Sequence, residues 1–408
     1  MSQPRPAALD ARALAPDLAR GALLLFIVIA NAPWYLADSG TRLLSAWPAE
    51  ASLADRVVQS ISLIAIDGRS YPMFAALFGY GIWQLYYRQT AAGVSVKDAR
   101  RLLQRRHAWM LAFGFVHAAL LWAGDIVGAY GLVGLVIVWF FLGRRDRTLV
   151  VWASVLGLLL VIIAVMSAVG GAIVAALDEP ARFATDTGLD LGVDTSSYPE
   201  SILVRLGTWA VLTPAQAFVG MVVPAAILVA IVAARHRVLE EPAAHSRLLW
   251  WVAGAGIGAG WLGGAVVAAQ NAGALGIPVQ FDWMFSGLQS VTGLACGLGY
   301  VAAFGLIAAR IRQPGRVVSA IRALGARSLT FYLAQSLAFA PVMSAWGLGL
   351  GAQLSSWSIV AYAIAVWVVS VVAAAVLDAR GIRGPAEWLL RRLAYPRAQR
   401  ASRSTTAP

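Results

Sequence analysis

Charge is scarce in this chain. Only 13% of its 408 residues are charged, a single lysine is among them, and there are four histidines and one cysteine. Soluble domains are about a quarter charged, so this balance already argues against one. The lone cysteine, Cys296, excludes an internal disulfide and any CxxC metal or redox motif, and its small-residue apolar surroundings read as packing. His236 and His245, nine residues apart without carboxylates on a common face, make a poor metal site, and no metal is expected. No basic patch is interleaved with stacking aromatics, so the net charge of +12 is not read as nucleic-acid binding. No internal repeat and no sizeable soluble domain are found. The apolar run at 21–36 has no convincing small-x-small cleavage site, so it reads as a retained first helix.

What fills the chain instead is hydrocarbon. Apolar residues make up 60%, and the mean hydropathy is +0.71. They come in blocks such as LVIVWFFL and VVWASVLGLLLVIIAVMSAVGGAIVAAL, several of them near the ~20 residues that span a bilayer core. The fold class is therefore all-α, a polytopic integral membrane bundle of about ten transmembrane helices. The spans are predicted at 18–36, 69–88, 102–123, 126–142, 148–177, 203–234, 247–271, 284–309, 328–347 and 357–377. Residues 1–17 precede this domain, which runs from 18 to 380. A semi-polar segment at 50–66 lies at or dips into the interface. The outer loop at 178–202 is acidic and carries turn formers. Residues 381–397 form an amphipathic helix on the membrane surface, and 398–408 are expected to be disordered.

The cations test this topology. With the N-terminus inside, 27 of the 32 lysines and arginines fall on the inner side, and only Arg42, Arg56, Arg69, Arg182 and Arg205 fall outside. The positive-inside rule thus places both termini in the cytoplasm, and the basic excess reflects topology and attraction to anionic lipid. Trp34, Trp47, Trp122 and Trp346 sit near outer ends, as an aromatic belt would.

Polar residues inside apolar runs mark where function could lie, because ionisable groups at membrane depth are costly without a partner. His117 lies eight residues before Asp125 in HAALLWAGDIVGAY, so it sits about 12 Å deeper on a helix. A neutral imidazole there suits a general base with the carboxylate as proton partner; a packed histidine and an aspartate capping the next helix are the plain alternative. Tyr130 closes the stretch and joins the substrate-binding set. Asp17 and Arg20 are spaced to pair on one helix face, and Asn31, further out, needs a hydrogen-bond partner. Asp67 and Arg69 open the second span, with Arg69 placed to pair with Asp67 or Asp125 or to meet an anion. In GARSLTFYLAQS, Arg327, Thr330, Tyr332 and Gln335 give a polar side running inward from the cytoplasm. They form either interhelical hydrogen bonds or the wall of a cavity. His107, after RLLQRR, reads as interfacial; His236 and His245 read as solvated. The glycines 258, 260 and 263 match GxGxxG in form, but within a membrane helix they read as close packing.

These same stretches resemble a known family. RGALLLFIVIAN, DGRSYPMFAALFGYG, FGFVHAALLWAGDIVGAY, GARSLTFYLAQS and GPAEWLLRRLAY match, in order, the signatures of the YeiB-like bacterial membrane proteins, the domain of unknown function 418. The likeness covers nearly the whole chain and is strongest over the last eighty residues, with the family's C-terminal signature region beginning at about residue 230. That family in turn resembles the transmembrane acyltransferases, which implies transfer of an acyl group from a cytosolic thioester by a membrane-embedded histidine. A transport role is also implied. The acetyltransferase branch has a histidine shortly after the asparagine of its first span; this chain has Asn31 but no histidine before His107.

The resulting expectation is an acyltransferase-like protein of the bacterial inner membrane acting on an envelope sugar or lipid. His117 and Asp125 would be catalytic. Asn31, Asp67, Arg69, Tyr130, Arg327, Thr330, Tyr332 and Gln335 would hold substrate. Arg100, Arg101, Arg105 and Arg106 would meet the phosphates of acyl-CoA, the co-substrate this reading requires, and no tightly bound cofactor is expected. The rival expectations are a small-molecule transporter or flippase using His117 and Asp125 as a proton relay, and a scaffold without turnover.

Overall fold

A computed structural model describes residues 14–37, 44–49, 51–176 and 190–395. The described residues form fourteen α-helices and no strand. They are α1 (Leu14–Asn31), α2 (Leu53–Ala65), α3 (Ser70–Ala91), α4 (Val96–Leu120), α5 (Ile126–Phe140), α6 (Asp146–Ala176) and α7 (Tyr198–Pro214). These are followed by α8 (Val222–Arg235), α9 (Ser246–Asn271), α10 (Ser286–Arg310), α11 (Arg316–Ala326), α12 (Ser328–Met343), α13 (Ser356–Ala379) and α14 (Pro385–Ala394). Six helical segments are long and apolar enough to cross a membrane: Leu14–Tyr35, Asp146–Ala176, Tyr198–Val219, Ser246–Asn271, Val279–Arg310 and Ser356–Ala379. Shorter apolar helices, α5, α8 and α12, accompany them. Along α6, apolar side chains from Val150 to Ile173 stay uncovered, Met166 by 68%. So continuous an apolar surface is what lipid, not water, would cover.

Local chemistry sets the helix starts. Ser95 accepts from the Asp98 N–H to open α4, and Asp125 accepts from the Gly128 N–H to open α5. Ser52 and Asp55 form a reciprocal capping box at α2, the semi-polar segment, which docks on α9 and α13. The predicted surface helix appears as α14, with Trp388 and Leu389 exposed and Leu390 and Ala394 buried. Its Glu387 carboxylate accepts from the N–H groups of Leu329 and Thr330, capping α12 from a distant part of the chain.

Three expectations need correction. The span predicted at 203–234 is two helices: α7 ends at Pro214, a π turn covers Ala215–Val219, and Met221 has φ +53° before α8 begins. Pro224 is the physical reason. It fits the first turn of a new helix, where no N–H bond is needed, but it would clash with and leave unpaired the carbonyl of Gly220 in a continuous one. Second, the connection between the spans predicted at 284–309 and 328–347 contains a helix of its own, α11, packed along α1 and α13. Third, Trp47 and Trp122 are buried at 1% and 3% exposure, so they are core residues and not a lipid-facing belt. Trp122 stacks on Tyr35 at 4.7 Å. The expected disordered tail, most of the N-terminal segment, Arg42, Arg182 and most of the outer loop lie outside the described residues.

The bundle has two unlike ends. At one, arginines tie helix connections together: Arg235 donates to Arg144 O and Leu142 O and pairs with Asp146, and Arg105 donates to Leu393 O. The α4–α5 hairpin turns at the other. The GxGxxG segment serves packing: a Cβ on Gly260 would lie 2.2 Å from Cys296 Cβ, so α9 and α10 touch backbone to side chain.

Candidate functional site at the α4–α5 hairpin

α4 and α5 cross so closely at Gly114 that a Cβ there would lie 2.3 Å from Asp125 Oδ2. This approach brings the last turn of α4 against the first of α5. His117 Nδ1 lies 2.8 Å from Asp125 Oδ1, while Asp125 Oδ2 accepts from the Gly128 N–H at 2.6 Å. The aspartate is thus both helix cap and histidine partner, and the two readings of it prove compatible. Both residues are buried, at 4% and 1% exposure. His117 Nε2 has no hydrogen-bond partner among the described residues. The ring packs edge-on against Tyr332, centroids 5.3 Å apart, and the Tyr332 hydroxyl accepts from the Ile126 N–H at 3.2 Å. A carboxylate on one imidazole nitrogen leaves the other basic and oriented, the arrangement a general base needs.

Tyr332 also stands where two of three spaces meet. A cavity of about 250 Å³ at the arginine-rich end is lined by Arg20, Arg88, Arg106, Arg391 and His107 and reaches Phe74, Val127 and Tyr332. Beyond Tyr332 lies a cleft of about 20 Å³, room for about one water, lined by Asn31, Trp122 and Gln335. Asn31 and Trp122 in turn line a cavity of about 580 Å³ toward the hairpin end, with Trp34, Tyr71 and Tyr130. A line of spaces therefore runs through the bundle, interrupted by side chains, and His117 lines none of the three but packs behind Tyr332. Tyr130 braces the same layer: its hydroxyl donates to Tyr71 O at 2.7 Å and its ring meets Phe74 edge-on at 4.7 Å.

The expected site residues divide accordingly. Asn31, Tyr332 and Gln335 share the cleft, and Gln335 Nε2 donates to Leu24 O at 3.1 Å. Asp67 and Tyr130 line the larger cavity; the Asp67 carboxylate accepts from Trp47 Nε1 at 2.9 Å and Ser62 Oγ at 3.1 Å. Arg69 is not on the walls of these three cavities. Its guanidinium donates to the backbone carbonyls of Asp67 and Gly260, because the α2–α3 turn aims it at the small-residue surface of α9. Arg327 is likewise engaged with protein: it donates to Ile382 O and Ala323 O and pairs with Asp378 at 2.9 Å, bracing the α11–α12 junction. Thr330 donates to Glu387 Oε2 at 2.5 Å. Of the four arginines assigned to phosphate, Arg106 lines the cavity. Arg100 packs beside Gly143, Arg101 forms an exposed pair with Asp98 at 3.6 Å, and Arg105 caps α14. The predicted Asp17–Arg20 pair is present at 3.1 Å.

Sequence reasoning missed four residues. His107 is buried and on the cavity wall, not interfacial. Arg88 and Arg391, distant in sequence, join Arg106 there. Arg205 is buried against the last turn of α4, donating to Ala118 O and Ala119 O and lying 5.4 Å over the Tyr198 ring. A cation is favoured at a helix C-terminus, so it stabilises the turn that carries His117. The signal for Arg205 was its isolation among outer cations; for His107 there was none.

Residues 233–397 match the family described as "Protein of unknown function (DUF418)". Across 360 residues the chain is 27% identical to "Uncharacterized protein YxaH" of Bacillus subtilis (strain 168), covering 84% of this chain and 83% of that protein. It is also 31% identical over 120 residues to "Uncharacterized protein YeiB" of Escherichia coli (strain K12), 29% of each chain. Its likeness to the DUF418 family lies over residues 233–397. The matched DUF418 segment takes in Arg327, Thr330, Tyr332, Gln335 and Glu387, but not His117 or Asp125. A third relative, "Uncharacterized 39.9 kDa protein in amylase 3'region" of Bacillus acidopullulyticus, is 29% identical over 144 residues, 35% of this chain and 38% of that protein. No solved structure matches this chain.

Proposed function

We propose that this protein is a membrane-embedded acyltransferase of the bacterial cytoplasmic membrane. It takes an acyl group from a thioester, acyl-CoA, entering the arginine-lined cavity from the cytoplasm. The acceptor is a hydroxyl of an envelope sugar or lipid entering the larger cavity from the opposite side. The observation that carries this reading is the His117–Asp125 pair, with Nε2 unpartnered among the described residues, packed on Tyr332, which lines both the arginine-rich cavity and the cleft beyond it. Tyr332 swings off the imidazole as substrates enter. His117 Nε2 takes the proton of the acceptor hydroxyl as its oxygen attacks the thioester carbonyl. The C–S bond then breaks, the proton passes to the departing thiolate, and an ester and a free thiol result. Asp125 holds the ring and stabilises its charged form. The Tyr332 hydroxyl and the Asn31 amide, both on the cleft, would donate to the developing oxyanion; Gln335 Nε2 already donates to Leu24 O. Removing a positioned base costs about 10²–10⁴ in rate. In cells with membrane insertion verified, His117→Ala and Asp125→Asn should therefore remove at least about 100-fold of the acyl esters this protein adds to envelope material, read by mass spectrometry. Unchanged acylation and unchanged acetyl-CoA turnover would refute the proposal.

One observation favours a second reading. The break between α7 and α8 lines the larger cavity through Ala215, Gln216, Val219 and Gly220, and helices interrupted at membrane depth often form transporter binding sites. On that reading the same spaces alternate in access and His117–Asp125 relays protons. Proton-coupled uptake into proteoliposomes without a covalent product would select it.

A further inference from the structure

The cavity at the arginine-rich end contains a second histidine that the His117–Asp125 chemistry does not use. His107 is 1% exposed, lines this cavity, and has no hydrogen-bond partner for either Nδ1 or Nε2 among the described residues. Its seat is specific. The ring meets Phe78 edge-on at 5.5 Å, and a Cβ on Gly134 would lie 2.6 Å from His107 Cδ2, so α5 is bare where the ring rests. A buried imidazole with two unmet hydrogen-bonding atoms is costly unless something supplies the missing partners. The surrounding charges indicate what that is. The same wall carries Arg20, Arg88, Arg106 and Arg391 against two carboxylates, Asp17 and Glu387. Asp17 pairs with Arg20, and Glu387 accepts from the first N–H groups of α12 and the Thr330 hydroxyl. The balance is positive, and guanidinium groups match the oxygens of a phosphate. Deeper in, the wall turns apolar at Phe74, Phe78, Met110 and Val127.

We propose that this cavity binds an amphiphilic organic phosphate, with the phosphate held among the arginines and His107 hydrogen-bonded to the polar part of the ligand just beneath it. The inference rests on the cavity alone and needs neither acyl transfer nor transport. The ligand could come from the cytosol as a soluble organic phosphate or from the membrane as a phosphate headgroup, and two probes separate these sources. The full-length protein in phosphatidylcholine nanodiscs is titrated with adenosine 3′,5′-bisphosphate and, separately, with dodecyl phosphate. Histidine ¹⁵N resonances are followed, and that of His107 is assigned by its loss in His107→Gln. The expected result is saturable binding of one probe, movement of the His107 ring signals on binding, and a roughly tenfold weaker affinity in His107→Gln, the worth of one buried hydrogen bond. Arg106→Gln should weaken the same probe. Tight binding of the bisphosphate assigns the soluble source, and binding of dodecyl phosphate the lipid source. Binding of neither, or binding that leaves the His107 signals and the His107→Gln affinity unchanged, would overturn the proposal. The readout is binding and not turnover, so its failure leaves the acyl-transfer test standing.

Discussion

The two large cavities of this protein are built from opposite chemistry. The smaller, at the arginine-rich end, carries four arginines, two carboxylates and His107. The larger has no arginine, lysine or histidine among its described lining residues; its one ionisable acid, Asp67, is held by Trp47 and Ser62. Its walls are instead aromatic and amide: Trp34, Tyr71, Trp122 and Tyr130 with Asn31, Gln216 and Gln289. One end therefore suits a phosphate and the other a neutral molecule with apolar faces. A single molecule passing through both would meet unlike surroundings, whereas two different reactants meeting between them would each find a matched one. That difference is the reason to favour transfer between two reactants over passage of one.

The contrast depends first on the layer between the cavities, so Tyr332→Ala should have the largest effect. Tyr332 is 4% exposed and packs on His117, and truncating a buried aromatic costs about 3–5 kcal/mol. Thermal unfolding in detergent should show that loss, and a cysteine introduced at Ala123, beside the hairpin, should become reactive to a thiol reagent added from the arginine-rich side. An unchanged Tm and unchanged labelling would mean that this ring does not divide the spaces.

The acids of the two cavities should differ next. Glu387→Ala removes the acceptor of two backbone N–H groups and one hydroxyl at the start of α12, a loss of about 2–3 kcal/mol. Asp67→Asn keeps a carbonyl oxygen for Trp47 Nε1, so about 1 kcal/mol or less is expected. Parallel unfolding measurements compare them, and equal losses would remove the asymmetry.

The smallest effect lies outside both cavities, at α2. Burial pushes the Asp55 carboxyl up, but hydrogen bonds from Ser52 and from the Trp357 N–H outweigh it and hold the group below the usual carboxylate range. A carboxylate depressed in the folded state contributes stability that is complete above its unfolded value, near 3.9, and lost as pH falls through the lower folded value. Hydrogen exchange of α2 amides should therefore rise below about pH 4 in the wild type, and Asp55→Asn should show less of this rise.

Legibility in the sequence followed periodicity and spacing. Apolar blocks revealed the helices, because a bilayer demands length and hydrophobicity that composition displays directly. The eight-residue spacing suggested a partnership between His117 and Asp125 across about 12 Å of helix, but α4 ends at Leu120 and the turn brings them to 2.8 Å. Asn31, Tyr332 and Gln335, three of the eight residues expected to hold substrate, line one small cleft. Arg69, Arg327 and Thr330 looked equally functional in sequence. Their partners, Gly260, Ile382 and Glu387, lie 191, 55 and 57 residues away, a distance no local pattern encodes. The break after α7 was legible in Pro214 and Pro224, but long hydrophobicity masked it.

Sequence alone therefore determined the membrane character, the placement of most helices and the charge asymmetry of their connections, because each follows from composition over short windows. Tertiary structure decided which polar groups are struts and which face a space. Arg106 and His107 line a cavity while neighbouring Arg105 bonds to a carbonyl, and Glu387 caps a helix that begins far earlier in the chain. The physical reason is that a buried polar group must find a partner wherever packing brings one, and packing depends on the whole bundle rather than on the window around each residue.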